Sequence, residues 1–154
     1  MALLRSDRVA VYDLENADGV PIYVHAKVCI VDDEWFACGS DNFNRRSWTN
    51  DSELTCAVVA PEVARSLRSE LWSEHLGGSA ELDPVAGFEA WRRTAEALDA
   101  WHAGGQVGER PVGQVRCHRP ASVSRWQRVW ARPIFDHVYD PDGRPRAMRR
   151  RGAY

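Results

Sequence analysis

A histidine and the chain's only lysine stand two residues apart, at His25 and Lys27. An imidazole can act as nucleophile or general acid, and an ammonium brings three donors on one compact charge. Every other basic residue is arginine, so whatever replaced lysine elsewhere in the chain stopped at this position. A planar guanidinium fork and a compact ammonium are not interchangeable against a small anion. Burial alone disfavours the charge on a lysine set in an apolar run, so an anion is its natural partner, and a phosphate fits. Downstream, Gly39-Ser40-Asp41-Asn42 supplies a permissive backbone, a hydroxyl and an amide, which are neutral hydrogen-bonding groups for phosphate oxygens. Glu53 adds a carboxylate able to fix a histidine tautomer.

These side chains need a scaffold that aims them together. Alternation over residues 8–14 predicts a strand, residues 16–19 a turn, and residues 21–31 a long β-rich run. Alternate side chains of a strand share a face, so His25 and Lys27 are expected to project together, with Val24, Ala26, Val28 and Ile30 opposite. Residues 32–34 turn the chain, 35–38 return it, and 53–60 form a further strand; the hairpin brings Asn42 and Ser40 beside the histidine and lysine. Pro61 opens a helix whose stripe is Val63, Leu67, Leu71 and Trp72, ended by Gly77. Asp83 caps a second helix with Val85, Phe88, Trp91, Ala95 and Leu98 on one stripe. The expected fold is α/β, with strands in residues 8–60, helices at about 61–76 and 84–103, and an irregular Arg- and Pro-rich C-terminal wrap.

The stretch His25-Ala26-Lys27, then Asp32, then Gly39-Ser40-Asp41-Asn42 resembles the HxKxxxxD…GSxN signature of the phospholipase D superfamily. The extension Asn44-Arg45-Arg46-Ser47 and then Asp51-Ser52-Glu53 is similar to the bacterial phospholipase D and cardiolipin synthase branch. Agreement at many positions with fixed spacing is a far stronger signal than a lone short motif. The resemblance implies half of a phospholipase D-type lobe, with residues 1–80 as the catalytic half-domain and 81–154 as a helical, Arg/Pro-rich extension. It implies that His25 attacks phosphorus to form a phosphohistidine, or serves as the general acid opposite the attacking histidine. Lys27 and Asn42 would hold the phosphate oxygens with Ser40 assisting, Glu53 would orient a histidine, and Asp32 and Gly39 would be structural. No metal or other cofactor is implied. The activity implied is phospholipid head-group hydrolysis or phosphatidyl transfer.

Such a site takes two motifs facing each other, and this chain has one. None of His75, His102, His118 and His137 is followed by a lysine two residues on. Single-motif relatives pair as homodimers but carry a substantial segment ahead of the motif, whereas 24 residues precede His25 here. The expectation is therefore the C-terminal part of a two-motif enzyme, completed by a second half, with an exposed apolar surface around the site. The alternatives are a homodimeric endonuclease and a catalytically inactive binding fragment.

Charge weighs against nucleic acid. Residues 1–108 hold nine basic against eighteen acidic side chains, the wrong sign for a phosphate-tracking groove. Residues 109–154 hold eleven arginines against four acids, expected to pair with the acidic body. Arg45 and Arg46 are expected to be solvated or to touch phosphate. The expected substrate is phospholipid, with peripheral membrane contact through Trp126, Trp130 and Phe135 as a secondary expectation. No apolar run is long enough to span a bilayer and the first residues lack a signal-peptide core, so the expected location is the cytoplasm or its membrane face. Cys29, Cys38, Cys56 and Cys117 show no metal-finger spacing and are expected to be buried free thiols.

Overall fold

The computed structural model describes residues 8–78 and 83–151; the domain boundary expected at residue 80 falls outside them. The fold is mixed α/β, with two three-stranded antiparallel sheets and several helices. Contacts divide the chain into two units. One takes the chain up to His25, with Asp32–Glu34 and Ala60–Pro120, and the other takes Ala26–Val31, Trp35–Val59 and the chain from Ala121 onward.

In the first unit, strand β1 (Tyr12–Glu15) lies between β2 (Pro21–Ile22) and β6 (Val115–Cys117). The turn after β1 forms because the Asn16 side chain accepts from the backbone N–H groups of Asp18 and Val20, at 3.0 and 2.9 Å. Helix α2 (Pro61–Leu76) starts on proline and stops at Gly77 in the left-handed conformation, φ 73°. Helix α3 (Pro84–Ala103) starts where the Asp83 carboxylate accepts from the N–H groups of Val85 and Ala86. Ala64, Ala95, Leu98 and Val115 are fully enclosed.

The apolar stripes hold in part: Ala95 and Leu98 of the α3 stripe are buried as expected, while other buried residues of both helices lie off the stripes. Val63 and Val85 are exposed, while Ala64 and Arg68 of α2 and Gly87, Ala95, Leu98 and Asp99 of α3 are buried. The cause is close approach: a side chain at Gly87 would strike the Trp72 ring, so a small residue faces a large one. Arg68 is buried because it forks onto Asp33 at 2.6 and 2.7 Å and lies 4.4 Å from the centre of the Trp72 ring. That guanidinium holds the Asp33 carboxyl below the usual carboxylate range, against a smaller opposing effect of burial.

Glu15, 3% exposed, is the electrostatic centre of this unit. It accepts from His102 Nε2 at 2.8 Å, Arg110 at 3.1 Å and Arg116 at 2.8 Å. Arg116 and Arg119 also reach Asp99. C-terminal arginines therefore pair with acidic residues of the body, as their charge asymmetry suggested. Burial pushes the Glu15 carboxyl up, but hydrogen bonds from His102, Arg116 and Arg110 outweigh it and hold the group below its ordinary value. A depressed folded value means stabilisation that is full above the unfolded value and fades as pH falls through the folded one. Glu15→Gln is expected to cost about 3 kcal/mol at neutral pH, because it leaves the half-buried Arg110 and Arg116 without their anion. In urea unfolding measured against pH, the gap between variant and wild type should close below about pH 4. A gap that persisted unchanged at acid pH would contradict the ionic account.

In the second unit, β3 (Lys27–Val31), β4 (Trp35–Gly39) and β5 (Thr55–Val59) form an antiparallel sheet in that order. The predicted long strand over 21–31 is thus two strands in two sheets, with residues 23–26 irregular between them. His25 lies outside any strand, so the shared strand face expected for His25 and Lys27 is not formed. The reason is a missing partner: Lys27 faces Gly39, the last residue of β4, and beyond it Ser40 bonds instead to Leu54. Alternation reports which residues tolerate a pleat, and the ladder needs a facing chain as well. Cys29, Cys38 and Cys56, expected to be buried, are exposed free thiols, and Cys117 is half-buried. No residue of β3, β4 or β5 is buried, so small apolar residues there have no cover to pack beneath.

The tail is more regular than a wrap. Helix α4 (Arg125–Ile134) begins with a capping box, in which the Ser124 hydroxyl accepts from the Gln127 N–H and the Gln127 side chain accepts in return. A π-helical turn (Phe135–Tyr139) follows directly on α4, whose last turn holds Pro133, a residue that cannot donate to the helical ladder, and α5 (Arg146–Arg151) comes after it.

Candidate active site

Lys27 opens β3, Gly39 closes β4 opposite it, and Thr55 opens β5 opposite Gly39. The three strands therefore end in line, and the loop leaving β4 carries Ser40, Asp41 and Asn42 past that end. Ser40 is clamped to β5 twice: its N–H donates to the Leu54 carbonyl at 3.0 Å, and its hydroxyl accepts from the Leu54 N–H at 3.0 Å. Thr55 donates its hydroxyl to Asp41 at 2.5 Å. Position 39 must be glycine because β5 comes so near: a Cβ there would collide with the Leu54 carbonyl and lie 2.5 Å from Thr55 Cα.

Helix α1 (Arg45–Thr49) supplies the pivot. Asn44 caps it by accepting from the Ser47 N–H at 2.9 Å, which turns the Ser47 side chain inward, where it is 5% exposed. The Ser47 hydroxyl accepts from the Asn42 N–H at 3.1 Å and lies 3.5 Å from the Asn42 amide nitrogen. It also donates to Glu53, as does the Ser40 hydroxyl. These two hydrogen bonds, first that of Ser40 and then that of Ser47, hold the half-buried Glu53 carboxyl below its ordinary range, and the Lys27 charge adds to the effect. Glu53 precedes β5 instead of starting it, which frees its side chain to gather the two serines.

Lys27, Asp41, Asn42, Phe43, Trp48 and Thr55 help line an open cavity of about 420 Å³. Lys27, Ser40, Asn42 and Glu53 are thereby brought to one end of one sheet. His25 is exposed, its ring 6.0 Å from that of Tyr23, and is joined to Lys27 through Ala26. Asp32 sits in the hairpin turn at φ 54°, a left-handed conformation that Asp tolerates, and the ion pair from that turn belongs to its neighbour Asp33.

Two features were not legible beforehand. Ser47, the hub of Asn42 and Glu53, lies in the Asn44–Ser47 extension of the motif, but its bonding role does not follow from that likeness. Arg45 and Arg46, expected to be solvated or to touch phosphate, stay substantially exposed and are ion-paired as well. Arg45 reaches Asp136 at 2.9 Å and Asp140 at 3.3 Å, Arg46 reaches Asp51 at 2.9 Å, and the Arg46 N–H donates to Asp140 at 2.7 Å. Asp140 is 8% exposed, and the Gly143 N–H donates to Thr49 at 2.9 Å. The tail segment 136–143 therefore braces α1, and α1 holds Ser47.

Comparison with known proteins finds relatives by sequence. Residues 2–74 match the family model described as cardiolipin synthase, PLD-like domain. Phospholipase D alpha 2 of Brassica oleracea var. capitata is 43% identical over 143 residues, covering 82% of this chain and 17% of that protein. Phospholipase D gamma 3 of Arabidopsis thaliana is 30% identical over 141 residues, 80% of this chain and 16% of that protein. Phospholipase D C of Dictyostelium discoideum is 39% identical over 82 residues, 42% of this chain and 5% of that protein. The chain thus spans less than a fifth of the length of these curated relatives. No solved structure gives a significant match.

Proposed function

We propose that this chain, whose residues 2–74 match a cardiolipin synthase, PLD-like domain, belongs to the phospholipase D superfamily and supplies one half of a phosphodiesterase site acting on phospholipid head groups. The observation that carries this reading is the placement of Lys27, Asn42, Ser40 and Glu53 at one end of the β3–β4–β5 sheet, where Lys27 and Asn42 line an open cavity. In the proposed chemistry, the Lys27 ammonium and the Asn42 amide hold the non-bridging oxygens of the phosphodiester, where charge builds as phosphorus is attacked. His25 is the reacting imidazole, as nucleophile or as proton donor to the leaving oxygen. Glu53 stays ionised across the neutral range; it fixes the two serine hydroxyls and is placed in this proposal to orient an imidazole. A second half with its own His-x-Lys provides the opposing histidine. Phe43 and Leu54, beside Asn42 and Glu53, are 95% and 82% exposed, the apolar rim such a half would cover. The segments Asn44–Ser47 and Asp51–Glu53 support the bacterial phospholipase D and cardiolipin synthase branch, and phosphatidyl transfer is the activity proposed beside hydrolysis.

Binding of inorganic phosphate, followed by calorimetry on the purified chain, tests the phosphate cradle apart from turnover. Lys27→Ala is expected to weaken it by about 10- to 100-fold, the worth of a hydrogen bond to a charged group. Ser47→Ala should weaken it by about fivefold, through a looser Asn42. Equal affinity in wild type and Lys27→Ala would remove the basis of the reading.

We also propose that the protein works in the cytoplasm at a membrane face, with α4 as the contact. Trp126, Val129, Trp130 and Ile134 form one exposed apolar stripe of that helix, with Arg125, Arg128 and Arg132 on the other side. Flotation with vesicles containing anionic lipid should recover the chain, and Trp126→Ala with Trp130→Ala should reduce binding about tenfold or more. Retention of full binding by the double variant would refute the contact.

A further inference from the structure

Cys38 of β4 stands directly opposite Cys56 of β5. Facing residues of antiparallel strands project on the same side, so the two thiols leave the sheet together. They lie one step from the Gly39–Thr55 pair, hence on the face opposite Lys27 and Cys29. The Ser40–Leu54 pair two steps away is hydrogen-bonded, N–H to carbonyl at 3.0 Å, and alternation along the ladder makes Cys38 and Cys56 a pair of the same kind. Such residues have Cα atoms about 5.5 Å apart, inside the range of about 4.4–6.8 Å that disulfides span. Their Cβ atoms, at about 4.5–5.5 Å, must draw in slightly to reach the usual 3.5–4.5 Å, so the bond would form under some strain and be easily reduced.

Both thiols are free and exposed. The other two cysteines have different neighbours: Cys29 faces Ala37, and Cys117 faces Tyr12 in the other sheet. Two thiols alone do not complete a tetrahedral metal site, and the described residues contain no cluster of three metal-ligating side chains to extend them.

We infer that Cys38 and Cys56 are a reversible dithiol–disulfide pair, closed by a low-molecular-weight disulfide such as oxidised glutathione. One protein thiolate attacks a glutathione sulfur, forming a mixed disulfide and expelling the first glutathione thiolate. The second protein thiolate attacks the protein sulfur of that mixed disulfide, forming the Cys38–Cys56 bond and expelling the second glutathione thiolate. The protein loses two electrons and two protons, and one oxidised glutathione becomes two reduced ones.

The test equilibrates the whole chain in graded mixtures of reduced and oxidised glutathione, traps free thiols with iodoacetamide, and maps peptides by mass spectrometry without reduction. The expected result is loss of two of the four thiols in step, a peptide joining positions 38 and 56 within one chain, and recovery of both thiols with dithiothreitol. Cys29→Ser with Cys117→Ser should keep the link, and Cys38→Ser should instead hold one glutathione on Cys56. Glutathione adducts at both positions with no link, a link through Cys29 or Cys117, or a link only between chains would each overturn the inference. The wild-type chain decides the matter by itself, so a variant that failed to fold would not leave it open.

Discussion

His25→Asn is expected to lower phosphodiester turnover of the completed two-half enzyme by about 10⁴-fold or more, while phosphate affinity changes by less than about threefold. The amide can imitate one ring nitrogen as a donor, which preserves packing around an exposed position. It cannot attack phosphorus, and it cannot give up a proton near neutral pH. The phosphate is held by other groups, Lys27 and Asn42, so binding and turnover should separate in this variant. Two substrates then assign the role. A choline head group leaves as an alkoxide and needs a proton, whereas nitrophenolate leaves unaided. If His25 is the nucleophile, both reactions collapse equally. If it is the general acid, nitrophenol release should survive far better than choline release. Retention of activity within tenfold on both substrates would remove His25 from the chemistry.

Much of the scaffold was legible because its signals are local. Pro61 and Gly77 mark the ends of α2, Asp83 caps α3, and the hairpin of β3 and β4 follows from apolar runs around three acidic residues. Each rests on a side chain acting within four residues of itself. What failed rested on partners distant in sequence. The run 21–31 looks like one strand, yet β2 and β3 belong to different sheets because each finds its own partner. Apolar stripes placed Val63 and Val85 inward, whereas the helices meet where Gly87 admits Trp72.

The site shows the same division. The motif brings Lys27, Ser40 and Asn42 forward as candidates by residue type and spacing, and the sheet register sets them at one end. The bonds that hold them were not legible: the extension of the motif includes Asn44 and Ser47 without saying what they touch. Ser47 matters because Asn44 turns it inward, and α1 stays in place because Asp140, some ninety residues later, caps Arg46 and pairs with Arg45. The helix α4, by contrast, could have been read: Ser124 and Gln127 have capping-box spacing, and the aromatic residues after them repeat at helical intervals.

The isolated chain is expected to turn over phosphodiesters slowly or not at all, and to gain about 10⁴-fold or more when a second His-x-Lys half is supplied. The single lysine sets this expectation, since no second such pair can be found among the other four histidines. Lacking the opposing histidine costs about 10²- to 10⁴-fold through acid–base catalysis alone. Lacking the opposing phosphate ligands costs a further factor, because charge on the oxygens would be met from one side only. A phosphohistidine on His25 would also need a proton taken from, or given to, the leaving and entering oxygens by that partner. The assay is head-group release from a phospholipid and nitrophenol release from a bis-aryl phosphodiester, across protein concentration, with His25→Asn as the blank. Silence at every concentration, broken by adding a half that carries the second motif, is the result expected. Turnover by the chain alone that rises with the square of concentration and vanishes in His25→Asn would instead establish a homodimer, in which one protomer's His25 serves as acid for its partner's. Silence in both formats, even with a second imidazole supplied, would leave a binding fragment without turnover as the better account.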